Sequence, residues 1–389
     1  MRKKAGFLLA AAFTAGVCLT GCTGQEQTDF HPAREIQKEN TDSGETLAYE
    51  HSLELQYAEN FQVDYFEGGY ALINIIDGSR YLVVPEGKTV PANLEEDLVV
   101  LRQPLSDIYL AATSAMGLFD ALDSLDAITL TSLDADGWYI ENAKKAMEEG
   151  RIQFAGKYRE PDYERILSKG CSLAIESTMI NHTPEVKEKL EETGIPVLTE
   201  WSSYESHPLG RTEWMKLYAV LLGKEELADR LFTRQTEYVN QAAEGENTGK
   251  SVAFFYISSS GYAVARKSGD YVTKMIELAG GNYIFKNLGD PEKATSTVTL
   301  EMEEFYSTAK EADYLIYNGT IDGGISSREE LIEKNGLLKD FKAVKDRNVW
   351  CTNRNLFQDT TQTGLMIAEI HRILTEEKPE GLAFFYPLQ

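Results

Sequence analysis

The sequence predicts an α/β protein of two lobes, each a central sheet flanked by helices, joined by a single long helix with a ligand cleft between the lobes. Three observations predict it. The first is the stretch Arg211 to Glu244, where Trp214, Leu217, Tyr218, Leu221 and Leu222 fall on the i, i+3, i+4, i+7, i+8 stripe of an amphipathic helix. The stripe resumes at Leu227, Leu231, Tyr238, Val239 and Ala242. No proline interrupts it, but Gly223 does; a mid-helix glycine costs about 1 kcal/mol relative to alanine, so it either kinks or splits the helix. Lys224 to Glu244 alone would span about 30 Å, the width of a small domain. The second observation is strand-then-helix alternation on both sides of this strut, the pattern of a parallel sheet. The third is an internal parallel: Glu164 to Ser168 leads to a β-like run at Leu173, and Glu303 to Ser307 leads to one at Tyr314. Each copy then gives a loop, a helix and a short strand, Pro196 to Trp201 in one and Asn348 to Asn353 in the other.

The chain begins with a basic segment, Arg2-Lys3-Lys4, and an apolar run from Ala5 to Leu19. That run is shorter than the roughly 20 residues a membrane span needs and suits a signal-peptide core over residues 1–21. Leu19-Thr20-Gly21-Cys22 is similar to the lipobox of bacterial lipoproteins, which implies that the Cys22 thiol carries a diacylglycerol. The expected location is the cell membrane, lipid-anchored, on its extracytoplasmic face. Residues 22–50 are polar and read as a disordered tether. The whole chain carries −24; without the three cations of the signal it carries −27, a field that argues against a nucleic-acid partner. Beyond Cys18 and Cys22 only Cys171 and Cys351 remain, in different lobes and in no CxxC, so neither a disulfide nor a zinc site is expected.

Taken in order, residues 51–205 form the N-terminal lobe. Its strand-rich start has short strands at Leu53 to Tyr57, Phe61 to Phe66, Tyr70 to Ile76 and Arg80 to Pro85, with turns at Glu67-Gly68-Gly69 and Asp77-Gly78. Gly87-Lys88-Thr89 resembles the end of a phosphate loop but lacks the upstream glycine, since position 82 is Leu82. Then come Leu98 to Leu101, a loop at Ala111 to Ser114, a helix over Ala115 to Leu122 and a strand over Ala127 to Thr131. Asp162 is placed to cap the helix Tyr163 to Ser168, and Pro184 opens another after the strand Leu173 to Glu176. Residues 206–245 are the interlobe helix segment. The C-terminal lobe, 246–389, repeats the order with strands at Val252 to Ile257, Tyr314 to Tyr317 and Asn348 to Cys351 and a last helix from Thr363 to Thr375.

Several of these stretches, in this order, resemble a known family. Besides the lipobox they are Tyr163 to Leu167 before a strand, Pro208 to Trp214 entering the strut, Met275 to Asn282, and Glu303 to Tyr306. Over about residues 95 to 375 the chain looks like the class III substrate-binding lipoproteins of ABC importers, which carry iron–siderophore complexes, haem or cobalamin. The resemblance implies a monomer holding a small-molecule metal complex in the cleft and delivering it to an importer permease and its ATPase. It implies no resident cofactor. It also implies a docking glutamate on each lobe, at Glu164 and Glu303, with Glu301 close enough to compete for the second role; charge-assisted pairs with arginine fix orientation on docking.

Loops after the strands line such a cleft. They hold Thr113, Ser114, Trp138, Lys157, Tyr158, Ser177 to Met179, Trp201, Arg211, Tyr262, Arg266 and Phe357. Aromatic rings give contact area to large flat ligands and arginine pairs with anionic groups, which favours an iron chelate, with haem or a corrinoid as alternatives. Arg211 has a second reading, a pair with Glu205 that shapes its loop. Only His182 and His207 among five histidines fall in cleft-type loops, too few for a bare metal site. No GxSxG, HExxH, complete phosphate loop or GxGxxG occurs, so a hydrolase is the competing class without a motif to support it.

Overall fold

The computed structural model describes residues 47–245, 247–290 and 296–389. The signal segment, Cys22 and nearly all of the expected tether lie outside them. All the described residues fall within one compact unit, Pro32–Gln389.

Strands β1 (Tyr49–Ser52), β2 (Phe61–Phe66), β3 (Tyr70–Ile75), β4 (Arg80–Val84) and β5 (Val99–Arg102) form a five-stranded sheet in that order. It is antiparallel except for the parallel pair β4–β5. The β2–β3 turn uses Gly68 and Gly69 at φ 85° and 84°, a region open to glycine at little cost. One face of this sheet, with Phe61, Val63, Ile73 and Val83, joins the main core. The other, with Phe66, Leu72, Leu82 and Val84, closes on a small core of its own.

The first lobe follows: β6 (Ile108–Leu110), α1 (Met116–Ala121), β7 (Ile128–Thr131), α2 (Glu141–Glu148), β8 (Gln153–Phe154), the two-strand ribbon β9 (Gly156–Lys157) and β10 (Glu160–Pro161), α3 (Tyr163–Ser168), β11 (Leu173–Ser177), α4 (Pro184–Glu192) and β12 (Val197–Glu200). Its sheet runs β12-β11-β6-β7-β8 and every pairing is parallel. Such a sheet is covered on both faces, and its strands read as unbroken apolar runs. Ile108, Leu110, Leu173 and Ile175 face the main core, while Tyr109, Leu130, Ala174 and Val197 face a second one. As expected, Asp162 caps α3, accepting from the Arg165 amide at 3.0 Å.

The strut is not one helix. α5 (Pro208–Leu222) and α6 (Glu225–Ala243) meet at Gly223, which sits at φ 66° and ψ 40°, where glycine alone carries no Cβ penalty. The Lys224 amide then closes onto the Ala219 carbonyl at 2.9 Å. The chain turns back rather than continuing, since Lys216 Nζ lies 3.8 Å from an Asp229 oxygen and 4.9 Å from the Phe232 ring. Every residue of α5 is buried. It packs against α1 of the first lobe and against α7 and α11 of the second, so this one helix, not a 30 Å strut, sits between the lobes.

The second lobe contains β13 (Ser251–Ile257), β14 (Ala263–Arg266), α7 (Tyr271–Leu278), β15 (Asn282–Tyr283), β16 (Thr297–Leu300), α8 (Met302–Ala309), β17 (Tyr314–Tyr317), α9 (Arg328–Lys334), α10 (Lys342–Asp346), β18 (Val349–Thr352), α11 (Thr363–Thr375) and β19 (Phe385–Pro387). Its sheet runs β16-β14-β13-β17-β18-β19, parallel at its centre and antiparallel towards both edges, with β15 beside β13.

The expected strand at Leu53 to Tyr57 is instead an irregular segment after β1. The Leu53 amide still bonds the Val63 carbonyl at 2.8 Å, but the amides from Gln56 onward go to a side chain. The Glu213 carboxylate, on α5 and fully buried, accepts from Gln56 N at 3.0 and 3.1 Å, Tyr57 N at 2.8 Å and Ala58 N at 2.9 Å. Lys216 Nζ neutralises it at 3.0 Å and also donates to the Glu54 carbonyl at 3.0 Å. Next to it, the buried Glu205 carboxyl accepts from Glu59 N at 2.7 Å, Asn60 N at 3.2 Å and the Trp214 indole at 2.7 Å. Arg211 is not among the Glu205 partners. Two acids thus fasten the N-terminal sheet to α5.

Candidate ligand-binding site

Because β6, β7, β11 and β12 are parallel, their carboxyl ends share one edge, and the loops that follow converge there. At that edge lies a cavity of about 680 Å³, within the usual range for small-molecule sites. Ala111 and Thr113 come from the β6 loop, Ser132, Leu133 and Asp134 from the β7 loop, and Ser177 and Met179 from the end of β11. Phe154, Lys157, Tyr158, Arg159 and Glu160 come from β8 and the β9–β10 ribbon. Phe154 and Met179 are large apolar groups left exposed here. Beside them stand two cations. Arg159 Nε donates to the Tyr158 phenol oxygen at 2.6 Å, and its guanidinium carbon lies 5.3 Å from that ring. The Asp134 carboxylate is turned into its own loop, accepting from the Gly137 amide at 3.2 Å. The wall is therefore apolar and aromatic on one part and charged and hydroxylic on another, where Lys157 and Arg159 stand with Glu160.

A second cavity, about 430 Å³, straddles the lobes: Tyr139 from the first meets Gly323, Thr352, Asn353, Arg354, Asn355 and Tyr386 from the second. The seam beside it is laced. The Gln358 side chain accepts from Tyr139 N at 2.8 Å and donates to the Gly137 carbonyl at 2.8 Å. Thr360 Oγ1 donates to the Ser114 carbonyl at 2.8 Å, and Thr212 Oγ1 of α5 donates to the Thr360 carbonyl at 2.8 Å.

Of the residues singled out from sequence, Thr113, Lys157, Tyr158, Ser177 and Met179 line the larger cavity. Ser114 is beside it, its hydroxyl donating to buried Glu200 at 2.8 Å. Trp138 is 2 % exposed and packs into the core. Trp201 faces the N-terminal sheet, its indole donating to Asp77 at 3.3 Å, and packs against Tyr204. Arg211, 4 % exposed, stacks on Tyr271 at 3.8 Å. Arg266 pairs with Asp270 at 3.2 Å and lies over Phe357 at 4.7 Å. Arg211, Arg266, Asp270 and Phe357 form one cluster with Tyr271. Burial pushes the Asp270 carboxyl up, opposed by Arg266, the Val272 amide and Arg211. Tyr262 is exposed at the β13–β14 turn. Glu164 and Glu303 are exposed in the first turns of α3 and α8, and Glu301 is the residue before α8. Sequence reasoning missed Phe154 and Arg159; their signal was the ribbon that brings residues 154–160 over the strand ends.

Among the described residues no group of three or more His, Cys, Asp and Glu is placed to hold a metal. His207 caps α5, its Nδ1 accepting from the Leu209 amide at 3.1 Å, and burial lowers its pKa. His182 is exposed. Cys171 and Cys351 are free and buried.

Two α/β lobes around a buried helix, with a cavity at the strand ends, define a two-lobed ligand-binding protein. The sequence pattern described as periplasmic binding protein matches residues 113–355, more than half of the chain, and the chain belongs to that family. An uncharacterised lipoprotein of Methanocaldococcus jannaschii is 23 % identical over 394 residues, covering 93 % of this chain and 91 % of the relative. Among solved structures, the periplasmic haem-binding protein HutB of Vibrio cholerae superposes with a TM-score of 0.58 at 17 % identity, covering 71 % of this chain and 100 % of that one. The petrobactin-binding protein YclQ of Bacillus subtilis gives 0.55 at 15 % identity, covering 70 % and 93 %. At such identities the likeness is one of fold. The N-terminal sheet precedes the matched stretch.

Proposed function

We propose that this chain is an extracytoplasmic lipoprotein, anchored through Cys22, that captures an iron-chelate complex of siderophore type and hands it to an ABC importer permease and its ATPase. It acts by binding, without turnover. The observation that carries the ligand class is the pair Lys157 and Arg159 beside Tyr158, Phe154 and Met179, in a chain whose mature part carries −27. Cations held at a cavity against such a field suit an anionic ligand with apolar faces. Docking falls to Glu164 and Glu303, which are exposed in the first turns of α3 and α8 and line neither of the two cavities described above.

The test is a calorimetric titration with ferric catecholate and hydroxamate chelates, haem and cobalamin. We expect saturable binding of a ferric chelate, weakened about tenfold or more when Lys157 and Arg159 are both replaced by alanine. Tight binding of cobalamin or haem with no response to any ferric chelate overturns the iron-chelate reading.

A further inference from the structure

Behind the larger cavity, on the first-lobe sheet face covered by the second core, one group has no apparent role. Glu176 is 0 % exposed, and neither carboxyl oxygen has a hydrogen-bond partner. Thr199, directly opposite it across the β11–β12 pairing, has an unpartnered buried hydroxyl. So does Tyr109 of β6, whose register partner Ala174 precedes Glu176 by one side-chain repeat on the same face. Tyr109 feels the Glu176 charge, as does Tyr163 of α3. Glu185 of α4 also acts on Tyr163, and Lys189 Nζ of the same helix is engaged 4.0 Å from the Tyr163 ring.

Four buried oxygens without partners need an occupant, because orphaned polar atoms inside proteins are rare. A neutral carboxylic acid finds no acceptor for its proton among the protein groups described, and would need a water for it. A water alone would leave an ionised carboxylate uncompensated in a low dielectric. A divalent ion would want several carboxylates or an octahedral water shell, and only one carboxylate is present. One carboxylate with hydroxyls is an all-oxygen donor set carrying a single negative charge. We propose that Glu176, Thr199 and Tyr109 enclose a binding site for one monovalent cation of the sodium or potassium kind.

A carboxylate oxygen of Glu176 and the hydroxyl oxygens of Thr199 and Tyr109, none of which has another partner, supply the ligands. The site lies just behind the cavity wall, because Ser177, the next residue, and Ala111 of the neighbouring loop both line the cavity. The bound ion cancels a charge that would otherwise repel an anionic ligand there; this consequence rests on the proposed function, while the test below contains no ligand.

Thermal unfolding of the full chain is compared in sodium, potassium and N-methylglucamine chloride at equal ionic strength, at about pH 9 so that Glu176 is ionised. The expected result is a Tm about 3 °C higher in sodium or potassium than in N-methylglucamine. Glu176→Gln should abolish the difference, and Thr199→Val, which keeps the shape, should move the cation midpoint several-fold higher. An identical wild-type Tm in all three salts overturns the proposal, as does an undiminished shift in Glu176→Gln.

Discussion

Two regions of this molecule bury carboxylates completely and treat them in opposite ways. At the start of α5, Glu213 of the helix receives amides from Gln56, Tyr57 and Ala58 and an ion pair from Lys216, and Glu205 of the loop before it receives three donors of its own. Behind the cavity, Glu176 receives none. The first pair serves structure: a carboxylate that accepts several backbone N–H groups fixes a loop whose amides have no strand to pair with. The second is a local conflict, and such conflicts mark function more often than architecture. Burial alone does not distinguish these acids; the hydrogen-bond partners do.

The comparison can be broken most forcefully at Glu213. Glu213→Ala removes the ion-pair partner of Lys216 and the acceptor of the Gln56, Tyr57 and Ala58 amides, the last of them buried, so denaturant unfolding should show a loss of about 4 kcal/mol. A loss below about 1 kcal/mol would mean that the N-terminal sheet is held by packing alone.

Glu205 sharpens it through pH. Burial pushes its carboxyl up to about 7 against the pull of the Trp214 indole and the Glu59 and Asn60 amides. A raised folded pKa means that its contribution to stability is complete below the unfolded value near 4.5 and is lost as pH rises through 7. Across that window wild type should lose about 3 kcal/mol that Glu205→Gln does not, a slope difference visible in unfolding curves at successive pH values.

Glu176 gives the smallest effect and the opposite sign. Burial pushes its carboxyl up to about 8, with no cation opposing. In N-methylglucamine buffer above that pH, Glu176→Met should stabilise the protein by about 1–2 kcal/mol, because an uncompensated buried charge is removed and no bond is lost. Destabilisation under those conditions would place Glu176 with the structural acids Glu205 and Glu213.

The sequence carried the local parts of this architecture. The parallel between Glu164 and Glu303, the Asp162 cap and the Gly68-Gly69 turn depend on neighbours within a few residues, and they are where the pattern puts them. What it could not carry was non-local. Leu53 to Tyr57 has a strand pattern, yet the amides of Gln56 and Tyr57 are claimed by a carboxylate on a helix far along the chain. The Trp214-to-Leu222 stripe reads as a half-exposed helix, but a sheet packed over its polar side buries Glu213 and Lys216 too. Gly223 announced a break without saying that the chain reverses there. At the cavity, loop membership was legible and facing was not: Trp138 and Tyr139 are adjacent, and one is core while the other meets Arg354 across the seam.

The Glu213 latch also sets a clock. Gln56 and Glu213 are separated by 157 positions, so β1 to β4 leave the ribosome long before their anchor exists. At roughly 5–20 residues per second the interval is about 8–31 s. Throughout it the face that carries Phe61, Val63 and Ile73 lacks α5, whose Trp214 ring lies 5.1 Å from that of Phe61. For that interval the nascent sheet is an exposed apolar surface with open edges, the condition in which chains aggregate or recruit a holdase. A chain released before α5 is made would lose both the helix that covers this face and the carboxylates that fasten it.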